Sequence, residues 1–203
     1  MNGETQRERA HSTPGFSRYA RLVQRSELSA VILAGGRATR LGGIAKHEIL
    51  VDGETIFARQ VRVLAPRVAE ILVSGPAIEG YRSVSDSIAG AGPLAGIAAA
   101  LAAMRTRWLV VVAGDMPYVT GELIDDLLAR AEGDAACVRE RGLPEPLISV
   151  IHARVLPVIE ARLSAGRFKA SGLFTEERLA VRWLDDPDPR ALKSINAPED
   201  LRE

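Results

Sequence analysis

At 203 residues, 47% of them apolar, the chain has the size and composition of one globular domain with a sizeable core. Lys and Arg together number 26, as do Asp and Glu, so no charge excess marks a nucleic-acid or membrane-surface binder. The single cysteine, Cys137, excludes an intrachain disulfide framework and a cysteine-type zinc site, and fits a reducing compartment.

The opening 28 residues are polar and arginine-bearing, without the apolar centre of a signal peptide; they are expected to form a flexible extension ahead of one folded domain over 29–203. No later stretch approaches the roughly 20 apolar residues of a membrane span. The run Ser29-Ala-Val-Ile-Leu-Ala34 ends abruptly in Gly35-Gly36 and reads as a buried parallel strand. Ile49–Val51 and Glu54-Thr55 flank the tight turn Asp52-Gly53. Helical spacing covers Ile56 to Ala65, and Pro66 stops it. Val68–Ser74 is the next strand, followed by Gly75-Pro76. The glycine-rich turn Gly90–Gly96 opens an alanine-rich helix over Leu94–Met104.

Trp108-Leu-Val-Val-Val-Val-Ala113 is the strongest strand and stops at Gly114-Asp115-Met116-Pro117. A helix around Glu122–Ala131, weaker strands near Ala135–Val138 and Leu147–His152, a helix over Val155–Ser164, a strand at Val181–Leu184 and a short terminal helix from Ala197 complete the pattern. Alternating strands and helices predict an α/β, single-domain, Rossmann-like, mostly parallel sheet with helices on both faces. Ligands of such sheets bind beyond the carboxyl ends of the strands, where the loops after Ala34, before Leu94 and after Ala113 are expected to converge.

The first loop, Leu33-Ala-Gly-Gly-Arg-Ala-Thr-Arg-Leu-Gly-Gly-Ile-Ala-Lys46, combines Gly35 and Gly36 with the cations Arg37, Arg40 and Lys46. A bare Gly-Gly is an ordinary surface turn. With a buried strand before it and cations after it, the pattern points to phosphate, cradled by backbone N–H groups and bridged by arginine. It matches neither the P-loop nor the dinucleotide fingerprint, so neither ATPase nor dehydrogenase is indicated. Asp115, at the mouth of the strongest strand, is expected to face a cation, and Mg2+ shared with substrate phosphates is the natural one. Asp86 stands just ahead of the second glycine-rich turn and is expected at the same edge. His11, His47 and His152 have no metal-ligand spacing; His47, next to Lys46, is the one placed to meet a ligand. Cys137 reads as inert and half-buried.

From Ala30 to Leu201 these motifs resemble the molybdenum cofactor guanylyltransferase family, among the nucleotidyltransferases with a Leu-Ala-Gly-Gly loop. The resemblance runs in order through the first loop with Lys46, Asp86 with Gly92-Pro-Leu-Ala-Gly96, and Gly114-Asp115-Met-Pro117. It continues through Glu145-Pro-Leu147 with Ala165-Gly-Arg-Phe-Lys169 and ends at Ile195-Asn-Ala-Pro-Glu-Asp-Leu201. Two places depart from it: Ala45 stands where the family carries Asp before the lysine, and Ser74-Gly-Pro76 where it tends to carry Asn.

What the resemblance implies is a nucleotide-diphospho-sugar transferase-like fold and transfer of GMP from GTP to the phosphate of molybdopterin, with Mg2+ and release of pyrophosphate. Leu33, Ala34, Gly35, Gly36, Lys46, Asp86 and Asp115 would hold the nucleotide. Arg40, Lys46 and Asp115 would carry the catalysis, Asp115 would bind the metal, and Pro146, Leu147 and Asn196 would meet the pterin. It further implies a cytoplasmic protein, monomeric or weakly self-associating, that hands its product to molybdoenzymes or their chaperones, with no nucleic acid or membrane involved. Within the same fold the alternatives are CTP, another small phosphate acceptor, or a non-catalytic nucleotide-binding paralogue.

Overall fold

The computed structural model describes residues 23–35, 37–38, 44–85, 88, 90–196 and 200. The expected extension over 1–28 therefore lies almost wholly outside the described residues, as do Gly36, Arg40 and Asp86 and most of the expected terminal helix.

The chain opens with β1 (Leu28–Leu33), five of whose six residues are buried. A small antiparallel pair, β2 (Arg37–Ala38) with β3 (Ile44–Ala45), comes next, and the hairpin β4 (Leu50–Val51) and β5 (Glu54–Thr55) follows. Helix α1 (Ile56–Leu64) starts where the Thr55 hydroxyl accepts the Ala58 N–H at 3.1 Å, and it buries Ile56, Phe57, Gln60 and Leu64. Next come β6 (Glu70–Ser74), β7 (Arg82–Val84) and α2 (Pro93–Ala103), the last with Pro93 at its first position. Strand β8 (Trp108–Ala113) is buried throughout, and α3 (Gly121–Leu128) begins at a Thr120 cap. The remainder is β9 (Ala135–Glu140), β10 (Leu143–His152), α4 (Leu156–Ser164), α5 (Ser171–Thr175) and β11 (Val181–Asp185).

Among the described residues, seven strands form one sheet in the order β11-β9-β10-β8-β1-β6-β7. Strand β1 is parallel to β6 and β8, β6 to β7, and β9 to β11; only β10 runs antiparallel to its neighbours β8 and β9. The two faces bury separate cores. Ala30, Ile32, Val110 and Val112 pack with Phe57 and Leu64 of α1 and Leu123, Ile124 and Leu127 of α3. Val31, Leu109 and Val111 pack with α2, α4 and α5 through Leu94, Ile97, Leu101, Ile159 and Leu173. Strand β1, apolar but for Ser29, and the fully apolar β8 are thus covered on both sides, which is why their sequences do not alternate.

Three elements differ from the sequence expectation. Strand β7 has two exposed residues out of three and carries no apolar run to announce it. Strand β10 starts at Leu143, not Leu147, and runs through Pro144 and Pro146, with an irregular register against β9 between Glu145 and Ser149. Prolines cannot donate to a ladder and are admitted at such irregularities. Helix α5 is a single short turn whose five residues are too few for a periodic signal.

Candidate active site

The carboxyl ends of β1, β6 and β8 lie side by side, with Leu33 in register with both Ser74 and Ala113. What joins them is an absence of side chains. A Cβ on Gly75 would lie 2.7 Å from the Gly35 nitrogen, and one on Gly114 would lie 2.7 Å from the Leu33 carbonyl oxygen. Gly75 also sits at φ +134°, a conformation other residues rarely adopt. The Leu33-Ala34-Gly35 turn is therefore gripped between two glycines, and the Gly114 N–H donates to the Leu33 carbonyl at 3.0 Å. Gly96 of α2 extends the same packing, since a Cβ there would collide with the Ser74 hydroxyl and press on Leu33. Backbone reaches backbone across the three strand ends, leaving Gly35 exposed at the edge.

Asp115 stands beside this turn, half-buried, its carbonyl accepting the Ile195 N–H at 2.8 Å. That bond brings the C-terminal segment to the site. Ile195 is fully buried with Ile49, Val51 and Ile56 in a small cluster of its own, and Tyr118 packs against it. Asn196, next in the chain, is exposed; its N–H bonds Asp200 at 2.7 Å and its amide donates to Ser194 Oγ at 2.8 Å.

Strand β10 supplies the other wall. Its pairing with β8 steps residue for residue from His152–Trp108 to Ile148–Val112. Glu145 lies three residues further out, near enough to Asp115 to feel its charge. Burial holds the Glu145 carboxyl above the ordinary glutamate range, the charges of Asp115 and Glu140 push it the same way, and the Leu147 N–H opposes them. Pro146 and Leu147 are half-buried beside it, and the Pro146 carbonyl accepts the Ser149 hydroxyl at 2.8 Å.

The structure thus brings Leu33, Ala34 and Gly35 together with Asp115, and sets Asn196, Pro146 and Leu147 on segments that lead to the same edge. Sequence reasoning missed Gln60. This buried side chain of α1 donates to the carbonyls of Ala113 and Met116 at 2.6 and 3.0 Å, on either side of Gly114-Asp115. Its signal was the spacing of four through Ile56, Gln60 and Leu64, which puts an amide on an apolar stripe. Glu145 was quoted as part of a motif but given no role of its own.

The two described histidines pack against aromatic rings. The His47 ring meets Phe57 edge-on with centroids 6.5 Å apart, and its Nδ1 is buried without a hydrogen-bond partner. His152 sits at the opposite end of the sheet against Trp108, caps the Arg154 N–H, and is held below its ordinary pKa by burial. Cys137 is fully buried rather than half-buried, because β9 is interior to the sheet, and burial drives its thiol far above the ordinary range.

Oxygen donors at the edge suit a hard cation. Among the described residues no cluster of three or more metal-binding side chains occurs.

Residues 30–186 match the model of the MobA-like NTP transferase domain. The chain belongs to that family. A molybdenum cofactor guanylyltransferase from Pseudomonas putida is 38% identical over 183 residues, covering 86% of this chain and 95% of that protein. A probable molybdenum cofactor guanylyltransferase from Methanosarcina mazei is 34% identical, covering 88% and 90%. Among solved structures, molybdopterin-guanine dinucleotide biosynthesis protein A from Archaeoglobus fulgidus aligns with a TM-score of 0.71 at 24% identity, covering 86% of this chain and 95% of that one. The 2-C-methyl-D-erythritol 4-phosphate cytidylyltransferase from Thermus thermophilus aligns at 0.65 and 21%, covering 87% and 96%. Both share the fold, so the grip of glycines on the first loop sits in a scaffold common to nucleotidyltransferases. No described helix is long and apolar enough to cross a membrane.

Proposed function

We propose that the chain transfers GMP from GTP to the phosphate of molybdopterin and releases pyrophosphate. The observation that carries this reading is the backbone contact of the Leu33–Gly35 turn with Gly114, which sets the glycine-bearing first loop and the acidic end of β8 at one edge. The names of relatives that align along most of their length support the guanylyl donor and the pterin acceptor.

In the reaction an acceptor phosphate oxygen attacks the α-phosphorus in line. One P–O bond forms as the bond to the bridging oxygen of pyrophosphate breaks. Both partners are anionic, so the protein's tasks are positioning and charge neutralisation. The backbone of Leu33, Ala34 and Gly35, with Gly36, Lys46 and Asp86, holds the nucleotide, and Arg40 and Lys46 meet charge on the triphosphate and the departing pyrophosphate. Asp115 is the residue that would hold Mg2+. Held there, the ion would supply Lewis-acid neutralisation of charge developing on the phosphates. Pro146, Leu147 and Asn196 line the acceptor's side. A phosphate nucleophile is already ionised near neutral pH, so no general base is needed. We read the protein as cytoplasmic, monomeric or weakly self-associating, and as a donor of finished cofactor to molybdoenzymes or their chaperones.

The test is pyrophosphate release by purified protein with Mg2+ and molybdopterin, in parallel with GTP, CTP and ATP. Release with GTP alone is expected. Release with CTP instead would replace the guanylyl donor, and silence with all three would refute transfer to this acceptor.

A further inference from the structure

We propose that Gln60 is a positioning residue that sets the Asp115 turn for the transfer step. Helix α1 buries one stripe, Ile56, Phe57, Gln60 and Leu64, and Gln60 is its only amide, 2% exposed. An apolar residue of the same size would satisfy the packing without the cost of desolvating an amide. The amide is instead aimed at the turn that carries Asp115. Its two N–H bonds are divided between carbonyls that bracket Gly114-Asp115, Ala113 at 2.6 Å and Met116 at 3.0 Å. The amide orientation follows, because a reversed group would set its own oxygen against both carbonyls. Its Oε1 is left buried with no hydrogen-bond partner, a cost the two donations offset.

Other bonds hold the turn as well. The Met116 N–H reaches the Ala113 carbonyl at a long 3.3 Å, Gly114 is tied to Leu33, and the Asp115 carbonyl is tied to Ile195. Gln60 joins the two ends of the turn, fixing their separation and so the placement of Asp115 between them. It touches neither nucleotide nor acceptor, being on the core side of the turn. Its effect on the reaction passes through Asp115.

Because this role deepens the transfer reading of the Asp115 edge, its test needs one readout that does not depend on turnover. Gln60→Met keeps the volume and removes both donors; Leu64→Met, one turn along the same buried stripe, perturbs packing and leaves the clamp. Amide hydrogen exchange of the segment around Gly114–Met116 is expected to quicken about tenfold in Gln60→Met and to stay at the parent rate in Leu64→Met, since local protection reports local opening. Under the assay that shows turnover by the parent, kcat of Gln60→Met is expected to fall about tenfold to a hundredfold with KM for GTP nearly unchanged, as for a small misplacement of a reacting group. If Gln60→Met does not fold, Gln60→Glu keeps the shape and gives up at least one donor, and the same two readouts apply. Unchanged exchange across the turn, or an equal loss of kcat in Leu64→Met, would overturn the role. A parent protein that never turns over would refute the proposed function, while the exchange result would still decide whether Gln60 holds the turn.

Discussion

Around Ser29, where β1 begins, side chains do the joining: the Ser29 hydroxyl donates to Glu70 at 2.9 Å and meets the Thr106 hydroxyl at 2.7 Å. The same edge carries ion pairs between Arg107 and Glu27, Arg154 and Asp134, and Arg182 and Glu132. Around Leu33, where β1 ends, the joining is done by backbone, with Gly75 and Gly114 standing against the Leu33–Gly35 turn. The difference teaches where a sheet of this kind can bind. Side-chain pairs fill and close an edge, whereas an edge held by glycine contacts stays open and keeps backbone N–H groups available to phosphate. The first arrangement tolerates loss of one pair at small cost; the second tolerates little.

Substitutions at the two ends can break that contrast. The largest effect is expected at Asp115. Asp115→Ala should lower kcat by at least about a hundredfold while leaving the melting transition cooperative, if the carboxylate neutralises charge through its metal. Full activity in this variant, measured by pyrophosphate release, would remove Asp115 from the metal site. Next is Gly75→Ala. A Cβ at φ +134° against the Gly35 backbone should destabilise by about 1–3 kcal/mol in urea unfolding and weaken GTP binding together. Loss of stability with intact GTP affinity would separate the glycine grip from the nucleotide.

A smaller effect is expected at Glu145, and it depends on pH. The fold holds this carboxyl above its ordinary pKa, so its protonated form favours the folded state. The contribution is whole below the unfolded glutamate value of about 4.3 and is lost as pH rises through the folded one. Glu145→Gln should therefore match the parent near the acid end and exceed it in urea midpoint at neutral pH. A parent that gains on the variant as pH rises would contradict the crowding of Glu145 with Asp115.

The smallest effect belongs to the other end of the sheet. Asp134 accepts the Ala180 N–H and pairs with Arg154 at 2.7 Å, and these hold its carboxyl below the ordinary range. Its contribution is present above the unfolded aspartate pKa and is lost as pH falls through the folded one. Asp134→Asn should cost no more than about 1 kcal/mol at neutral pH and leave turnover untouched. A drop in kcat comparable to that of Asp115→Ala would erase the distinction between the edges.

Much of the open edge was legible in the sequence for a physical reason. A short run of apolar residues cut off by glycine or by Gly-Asp is what a doubly covered strand ending at a ligand requires, so β1 with Leu33–Gly35 and β8 with Asp115 announced themselves. The grip itself was not legible. That Gly75 and Gly114 face the first loop depends on the strand order β8-β1-β6, which no local pattern encodes. Strand β7 escaped because an exposed edge strand need not be apolar, and the start of β10 escaped because Pro144 and Pro146 argue against a strand except at an irregular ladder. Gln60 was hidden for the opposite reason: its neighbours satisfy a helix so well that one amide among them passes for surface. Arg40 and Asp86 lie outside the described residues, and their roles rest on the motifs that carry them.

The central claim is tested most directly by following the α-phosphate. With α-phosphate-labelled GTP, Mg2+ and molybdopterin, the account predicts label in a pterin–guanine dinucleotide and unlabelled pyrophosphate released in equal amount. Label that stays in GTP, or that appears only as free GMP, would contradict transfer to the pterin phosphate.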